Sequence, residues 1–158
     1  MQHEFDLLIL VEGKKDKHIL ERKILPLLEV KKRILIKEIG GIGNFKSWKK
    51  FRRMLENAYG YSFKNTLILA DEKGLEGDEE IRRSIESADF FIIIKRELET
   101  WILANYIKDA ENCENPKKKL KEILKIKGRI KYCKLKDFSI EKMSKLGSFR
   151  EFLRILED

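Results

Sequence analysis

The amino-acid sequence predicts an α/β fold in which a mostly parallel four-stranded sheet is flanked by helices. Short apolar runs alternate with longer amphipathic segments through the first two-thirds of the chain, as expected for strands joined by helical crossovers. The apolar runs are continuous, which is typical of strands that are buried on both faces of a parallel sheet. The 158 residues fit one domain with a substantial core.

Each predicted strand is followed by a predicted helix. The strands are residues 5–11, 33–39, 66–70 and 90–94, and the helices are residues 15–28, 45–59, 78–88 and 98–106. Apolar side chains at helical spacing predict the buried faces of the first two helices. These side chains are Ile19, Leu20, Ile24, Leu27 and Leu28 on the first helix, and Trp48, Phe51, Met54 and Leu55 on the second.

The pattern changes after residue 106. Residues 109–116 read as a polar loop and residues 117–126 as a basic amphipathic helix, whereas residues 129–135 fit either a strand or a helix. Two short helices are predicted at residues 141–146 and 149–156, with Ser148 as the N-cap of the second. We therefore predict an α/β core over residues 1–108 and a basic, mainly helical C-terminal extension over residues 109–158, packed together as one domain.

The net charge of +8 is concentrated in one segment. Residues 117–136 contain nine Lys and one Arg against a single Glu, whereas residues 71–99 contain ten acids and five bases. A basic segment beside an acidic one indicates a polyanion partner next to a cation site, and predicts nucleic acid, DNA or RNA. The predicted nucleic-acid-binding residues are Lys14, Lys15, Lys73, Lys117, Lys118, Lys119, Lys121 and Arg129. A Lys-rich surface of a heat-adapted protein is the alternative interpretation.

The sequence gives no sign of a membrane or a disulfide framework. Cys113 and Cys133 lack the spacing of a zinc site, so two free thiols are expected. The apolar run at residues 7–11 is too short for a signal peptide core or a membrane span. We therefore expect a cytoplasmic protein without membrane contact, and the sequence does not specify its oligomeric state.

Acidic residues follow three of the four predicted strands. The carboxyl ends of parallel strands border the functional crevice of such sheets, so side chains at these ends are expected to meet. The acids are Glu12, Asp16, Asp71, Glu72 and Glu99. Mg²⁺ prefers a few hard oxygen ligands, and the cluster predicts a site for Mg²⁺ or Mn²⁺. In the alternative interpretation Glu12 is a loop residue and Asp16 is a favourable charge at a helix N-terminus.

Residues 8–16, Leu-Ile-Leu-Val-Glu-Gly-Lys-Lys-Asp, resemble the first motif of the TOPRIM domain. That motif is an apolar strand followed by Glu-Gly and then by an Asp three positions on. The family includes domains of topoisomerases, bacterial primases and OLD-family nucleases, and small stand-alone proteins. The resemblance implies Mg²⁺ binding and strand breakage, joining or phosphoryl transfer on nucleic acids. It implies that Glu12 is a general acid/base or metal ligand, and that Asp16 is a ligand or supporting acid.

The second motif of the family, Asp-x-Asp, is incomplete at residues 67–74. If Asp71 is its first Asp, the second position holds Lys73; if Asp71 is its second Asp, the first position holds Leu69. Either alignment lacks one carboxylate, for which Glu72 would have to substitute. Glu12, Asp16 and Asp71 remain the predicted catalytic residues.

Residues 95–105 resemble a segment of small TOPRIM proteins related to the OLD nucleases. In that segment a Glu after the strand is a further metal ligand, and Glu99 is preferred over Glu97 for this role. Trp101 is predicted to lie in the core.

The favoured function is that of a small Mg²⁺-dependent nuclease, because the chain is too short for a complete topoisomerase or primase. A catalytically weak or inactive TOPRIM module that binds nucleic acid or a protein is the main alternative, and the incomplete Asp-x-Asp motif supports it. A small-molecule phosphotransferase is a third hypothesis. Under this hypothesis the glycine turn at residues 40–43 would bind phosphate through its backbone N–H groups.

Overall fold

Within residues 3–157, the part of the chain that the computed structural model describes, four parallel strands form the centre of the fold. The strands are β1 (Glu4–Val11), β2 (Ile34–Glu38), β3 (Ser62–Asp71) and β4 (Phe90–Ile94), in the spatial order β2-β1-β3-β4. The prediction of an α/β fold with a four-stranded parallel sheet is confirmed. The two central strands, β1 and β3, are the longest and bury most of their side chains.

Helices and short helical turns connect the strands and follow the last one. The helices are α1 (Lys14–Ile19), α2 (Trp48–Tyr59), α3 (Glu79–Glu86), α4 (Glu99–Leu103), α5 (Pro116–Leu124), α6 (Ile140–Met143) and α7 (Gly147–Glu157). Turns of 3₁₀-helix occupy Leu25–Leu27, Ile42–Ser47, Glu72–Leu75, Ala110–Asn112 and Tyr132–Lys134. The ambiguous residues 129–135 are therefore mostly irregular. The predicted loop at 109–116 contains a 3₁₀ turn and ends where α5 begins.

The register of the sheet aligns the carboxyl ends of the strands. Val11 pairs with Glu38, and Asp71 at the end of β3 pairs with Ile94 at the end of β4. Strand β3 continues beyond Ile68, the partner of Leu10, so that Asp71 extends past the end of β1. The residues that follow each strand consequently lie along one edge of the sheet.

The first helix differs from its prediction. The α-helix ends at Ile19 and continues as a π-helical turn, Leu20–Ile24, and then as the 3₁₀ turn that contains Pro26. Proline has no N–H and its ring conflicts with the preceding turn of an α-helix, so an α-helix through residue 28 is excluded. The side chains of Ile19 and Ile24 are buried as predicted, but Leu27 is 40% exposed. Leu27 lies in the 3₁₀ turn, beyond the α-helix whose spacing predicted its burial.

Two further details of the prediction are wrong. Met54 was expected to face the core but is 49% exposed, because the buried stripe of α2 runs through Trp48 and Leu55 and leaves Met54 beside it. Ser148 was expected to cap a helix but lies inside the first turn of α7, which begins one residue earlier. Its hydroxyl instead accepts a hydrogen bond from the indole N–H of Trp101 at 2.9 Å.

The two faces of the sheet carry separate cores, because alternate residues of a strand point to opposite faces. Helices α2 and α3 cover the face that presents Leu8, Leu10 and Ile68. The opposite face presents Ile9 and Leu67 to side chains from α1, α4 and the C-terminal helices. The residues after 108 thus share a core with the sheet. The predicted boundary between residues 108 and 109 stays a prediction.

Trp101 is central to the second core, as its predicted burial required. Its side chain is fully buried and packs edge-on against Phe149, with ring centroids 5.0 Å apart, and beside Phe152 at 5.3 Å. Cys113 and Cys133 are free thiols, as expected. Among the helices of residues 3–157, none combines the length and the apolar character that crossing a membrane requires.

Truncation of Phe152 tests whether α7 belongs to the common core. Phe152→Ala should lower the free energy of unfolding by about 3–5 kcal/mol, because it removes a fully buried ring beside Trp101. The neighbouring Leu153→Ala is the control, since Leu153 is only half-buried. Urea denaturation of both variants measures the difference. Equal losses of stability would show that α7 does not depend on this packing.

Candidate functional site

Acidic side chains from separate parts of the chain meet at the carboxyl edge of the sheet. Glu12 directly follows β1, Asp16 lies in α1, Asp71 ends β3 and Glu99 begins α4. The negative charges of Asp16, Glu99 and Glu12 each raise the pKa of Asp71, so these carboxylates lie close enough to act on it. We call these four residues the rim cluster. The carboxylate of Glu72, the fifth predicted acid, accepts a hydrogen bond from the backbone of Arg96.

The glycine turn after β2 fixes the backbone of Glu12. The N–H groups of Gly40 and Gly41 both donate to the carbonyl oxygen of Glu12 at 3.0 Å. Gly40 has a φ of 85° and Gly41 a φ of 129°, which favour glycine at both positions. The Asn44 side chain holds the turn from the other side by donating to the carbonyls of Ile39 and Gly40. These N–H groups are therefore already used, which removes them from the hypothetical phosphate site.

Asp16 presents a buried carboxylate with one unused oxygen. Its Oδ2 accepts a hydrogen bond from the Gly13 N–H at 3.3 Å, which ties the turn after β1 to α1. Its Oδ1 is buried and has no hydrogen-bond partner among the described residues, and the Lys15 ammonium is 3.8 Å away. Burial raises the pKa of Asp16 to about 6; Lys15 opposes this shift and the charge of Glu99 adds to it. A buried carboxylate oxygen that accepts no hydrogen bond is costly to stability.

Glu99 is completely buried and is paired with two groups. The Lys15 ammonium donates to Oε2 at 2.9 Å and to Oε1 at 3.2 Å, and the Tyr132 hydroxyl also donates to Oε2. Burial alone would lower the pKa of Lys15, but the charges of Glu99 and Asp16 outweigh it and raise the pKa. Lys15 thus stays protonated and contacts two carboxylates of the rim cluster.

Tyr132 is a site residue that the sequence did not indicate. It belongs to the segment whose secondary structure was ambiguous, and it reaches Glu99 only through tertiary packing. Burial and the neighbouring charge of Glu99 raise the pKa of Tyr132, so its hydroxyl remains a hydrogen-bond donor. The C-terminal residues thereby contribute directly to the site.

Asp71 has the most perturbed carboxyl group of the cluster. Burial, followed by the charges of Asp16 and Glu99, raises its pKa from 3.8 to about 8, although Lys15 opposes the shift. The cluster therefore contains more negative charge than Lys15 compensates. A bound cation would favour the ionised form of Asp71 and release its proton.

Glu72 and Lys73 serve a different contact. The Glu72 carboxylate accepts a hydrogen bond from the Arg96 N–H at 3.4 Å, and the Lys73 N–H donates to the Arg96 carbonyl at 3.1 Å. These bonds join the loops after β3 and β4. They direct the Glu72 carboxylate to the backbone of the neighbouring loop, and the side chain of Lys73 is exposed.

The donor chemistry of the rim cluster fits Mg²⁺, although its side chains are not arranged as a finished site. Within residues 3–157, no three Asp, Glu, His or Cys side chains are grouped closely enough to hold an ion as they stand. Carboxylates are nevertheless the ligands that Mg²⁺ prefers, and it uses few of them because it retains water. The Oδ1 of Asp16, which accepts no hydrogen bond from residues 3–157, supplies one oxygen for this purpose.

A cavity of about 520 Å³ lies beside the rim cluster and is lined mainly by basic groups. We call it the cationic cavity. Its lining includes Lys14, Lys15, His18, Lys117, Arg129 and Tyr132. The structure therefore brings together four predicted nucleic-acid-binding residues from α1 and the C-terminal segment. Of the remaining four, Lys118, Lys119 and Lys121 lie elsewhere on α5, and Lys73 follows β3.

Comparisons with known protein families, curated proteins and solved structures found no match to this chain. The function must therefore be argued from the geometry and chemistry of the site. The rim cluster, which carries more negative charge than Lys15 compensates, shares Lys15 with the cationic cavity.

The pH dependence of stability tests whether folding raises the pKa of Asp71. Because its folded pKa is above its unfolded value, wild-type protein in EDTA should lose stability as the pH rises from about 4 to about 8. Asp71→Asn removes this titration, so at pH 8.5 it should be more stable than wild type. We expect a difference of about 2 kcal/mol, less than roughly 1.4 kcal/mol per pKa unit would give, because Asp71 is only half-buried and water screens its charge. Denaturation midpoints at both ends of the range measure the effect.

Glu76→Gln is the control, since Glu76 is an exposed acid on the following loop. Its pH profile should parallel that of wild type. A pH profile of Asp71→Asn that also parallels wild type would show that folding does not raise the pKa of Asp71.

Proposed function

We propose that this chain is a TOPRIM-like, Mg²⁺-dependent protein that cleaves nucleic-acid phosphodiesters as a small nuclease. One observation carries the proposal: acids from β1, α1 and β3 converge beside a cavity lined by Lys14, Lys15, Lys117 and Arg129. Carboxylates can hold a divalent ion, and the adjacent cations can hold the phosphates of a polyanion. Either feature alone has simpler explanations, but their contact through Lys15 favours phosphodiester chemistry.

Glu12, Asp16 and Asp71 are the proposed ligands of the ion, and Mn²⁺ would take the same ligands. When bound, Mg²⁺ would supply positive charge to stabilise the oxygens of the phosphodiester. Asp16 offers its Oδ1, which accepts no hydrogen bond among the described residues. Asp71 offers a carboxyl group whose pKa is raised by burial and by neighbouring negative charges. Glu12 is half-buried, so water can reach its carboxylate, which can act as general base.

Lys15 is the proposed phosphate-positioning residue. Glu99 and Tyr132 hold its ammonium group at the boundary between the rim cluster and the cationic cavity. Glu99 was predicted as a metal ligand, and in this arrangement both of its oxygens are engaged by Lys15. We therefore propose that Glu99 acts by positioning Lys15. Arg129 and Lys117 would bind the phosphates next to the cleaved one.

The basic C-terminal extension, residues 109–158, is proposed to be the part that binds nucleic acid. It supplies Lys117, Arg129 and Tyr132 to the cationic cavity. The TOPRIM-like identity of the core rests on the motif at residues 8–16 and on the parallel sheet that presents it. The free thiols of Cys113 and Cys133 agree with the proposed cytoplasmic location.

Glu12→Gln tests the nuclease directly. The substitution keeps the size of the side chain but removes its charge and basicity, so Mg²⁺- or Mn²⁺-dependent cleavage should fall by about 100-fold or more. The assay uses single- and double-stranded DNA and RNA. Melting temperature should change little, because Glu12 is not part of either core.

Glu21→Gln is the matched control, since Glu21 is exposed on the π turn after α1. It should cleave like wild type. Full cleavage by Glu12→Gln would remove Glu12 from the mechanism.

The second candidate function is a binding module without catalysis. The Asp-x-Asp motif lacks a carboxylate in both alignments, and Glu72, the proposed substitute, is bonded to the backbone of Arg96. Salt-sensitive binding of nucleic acid, with no cleavage by wild type under any divalent ion, would select this alternative. The phosphotransferase hypothesis loses support, because Gly40 and Gly41 donate their N–H groups to Glu12.

A further inference from the structure

A second cavity adjoins the cationic cavity and differs from it in chemistry. Its volume is about 470 Å³, within the range of about 300–1000 Å³ that is usual for ligand pockets. Apolar and aromatic side chains form part of its lining: Tyr106, Leu124, Ile126 and Leu135. We call it the apolar cavity. It lies between the end of α5 and residues 126–137, and nothing in the proposed chemistry uses it.

Hydrogen bonds hold the wall of the apolar cavity in place. The Tyr106 hydroxyl donates to the carbonyl of Lys136 at 3.0 Å, and the Lys23 ammonium donates to the carbonyl of Leu135 at 2.8 Å. The side-chain oxygen of Asn105 accepts the N–H of Ser139, which anchors the end of the segment. Although residues 125–139 are largely irregular, tertiary contacts thus shape the cavity.

Basic side chains make up most of the remaining lining of the apolar cavity. The remaining lining residues are Lys127, Arg129, Lys131, Lys134 and Lys136, together with the acid Asp137. Across residues 3–157, no salt bridge pairs any of these five cations with an acid. Unpaired cations around an apolar floor complement a ligand that has a flat apolar body and flanking negative charges. A nucleobase between two backbone phosphates is such a ligand.

Arg129 connects the two cavities, because its side chain lines both. The cationic cavity in turn contains Lys15, which contacts Glu99 and Asp16. A nucleic-acid strand that placed a phosphate on Arg129 would therefore extend toward the rim cluster on one side. On the other side its next nucleotide would reach the apolar cavity.

We propose that the apolar cavity binds an unpaired nucleobase and that the site thereby selects single-stranded nucleic acid. This inference rests on the proposed function and specifies its substrate class. In a duplex the bases are stacked and paired, so their faces cannot reach a floor formed by Tyr106 and Ile126. An unstacked base can enter such a pocket without that cost.

Abasic oligonucleotides provide the test without altering the protein. Fluorescence anisotropy with EDTA present compares a labelled single strand of about 12 nucleotides, an abasic strand of equal length and charge, and the matched duplex. The intact strand should bind about tenfold more tightly than the abasic strand and than the duplex. Equal affinity for the intact and abasic strands, or for strand and duplex, would overturn the proposal.

Two variants locate the binding. Arg129→Gln should weaken binding of the intact strand about tenfold and reduce the salt dependence of binding. Lys50→Gln is the control and should change neither, because Lys50 lies on α2 at the opposite face of the sheet. Ile126→Asn should reduce the preference for the intact over the abasic strand, with its melting temperature measured alongside. An unchanged preference in a folded Ile126→Asn would contradict the assignment of this cavity.

Binding of a different ligand in the apolar cavity, and failure of the nuclease hypothesis, would each give a distinct result. Displacement of the labelled strand by poly-glutamate at equal charge concentration would favour an acidic protein partner and overturn the proposal. Glu12-dependent cleavage of duplexes alone would overturn single-strand selection but keep the nuclease. Selective binding of intact single strands without any metal-dependent cleavage would keep this inference and reject the nuclease.

Discussion

Parallel pairing of the strands is the constraint on which the site depends. Because β1 and β3 run in the same direction with aligned ends, Glu12 and Asp71 are brought to one edge from distant parts of the sequence. The helices that follow β1 and β4 add Asp16 and Glu99 at the same edge. Repulsion between these carboxylates is a direct consequence of the topology, and the fold must accommodate it.

The structure compensates only part of this negative charge. Lys15 contacts Glu99 and Asp16, and Tyr132 donates a further hydrogen bond to Glu99. Among residues 3–157 Asp71 receives no comparable partner, and burial with the remaining negative charges raises its pKa. Buried, strongly perturbed carboxyl groups concentrate at functional sites, because such an arrangement costs stability unless a ligand relieves it. We propose a divalent ion as the ligand that relieves it here.

Much of the fold could be predicted from the sequence because its strands are continuous apolar runs. The predicted strand at residues 90–94 coincides with β4, and the positions of Glu12 and Asp71 follow from the strands that precede them. The exposure of Met54 and Leu27 was missed, because helical spacing alone does not specify the edge of a buried stripe or the presence of a π turn.

The details of the site depended on tertiary contacts. The bond from Tyr132 to Glu99 joins the C-terminal segment to the helix after β4, and no local pattern indicates it. The hydrogen bond from the Arg96 backbone N–H to the Glu72 carboxylate depends likewise on how two loops meet. The basic segment was evident as charge, but its division into a cationic and an apolar cavity required the path of residues 125–137.

Crystals grown with Mn²⁺ would test the shared-ion site most directly, through the anomalous scattering of the metal. The predicted result is a peak between the carboxylates of Glu12, Asp16 and Asp71, at about 2.0–2.3 Å from their oxygens. Peaks confined to other acids, with these three carboxylates uncoordinated at saturating Mn²⁺, would contradict a common ion at the edge of the sheet.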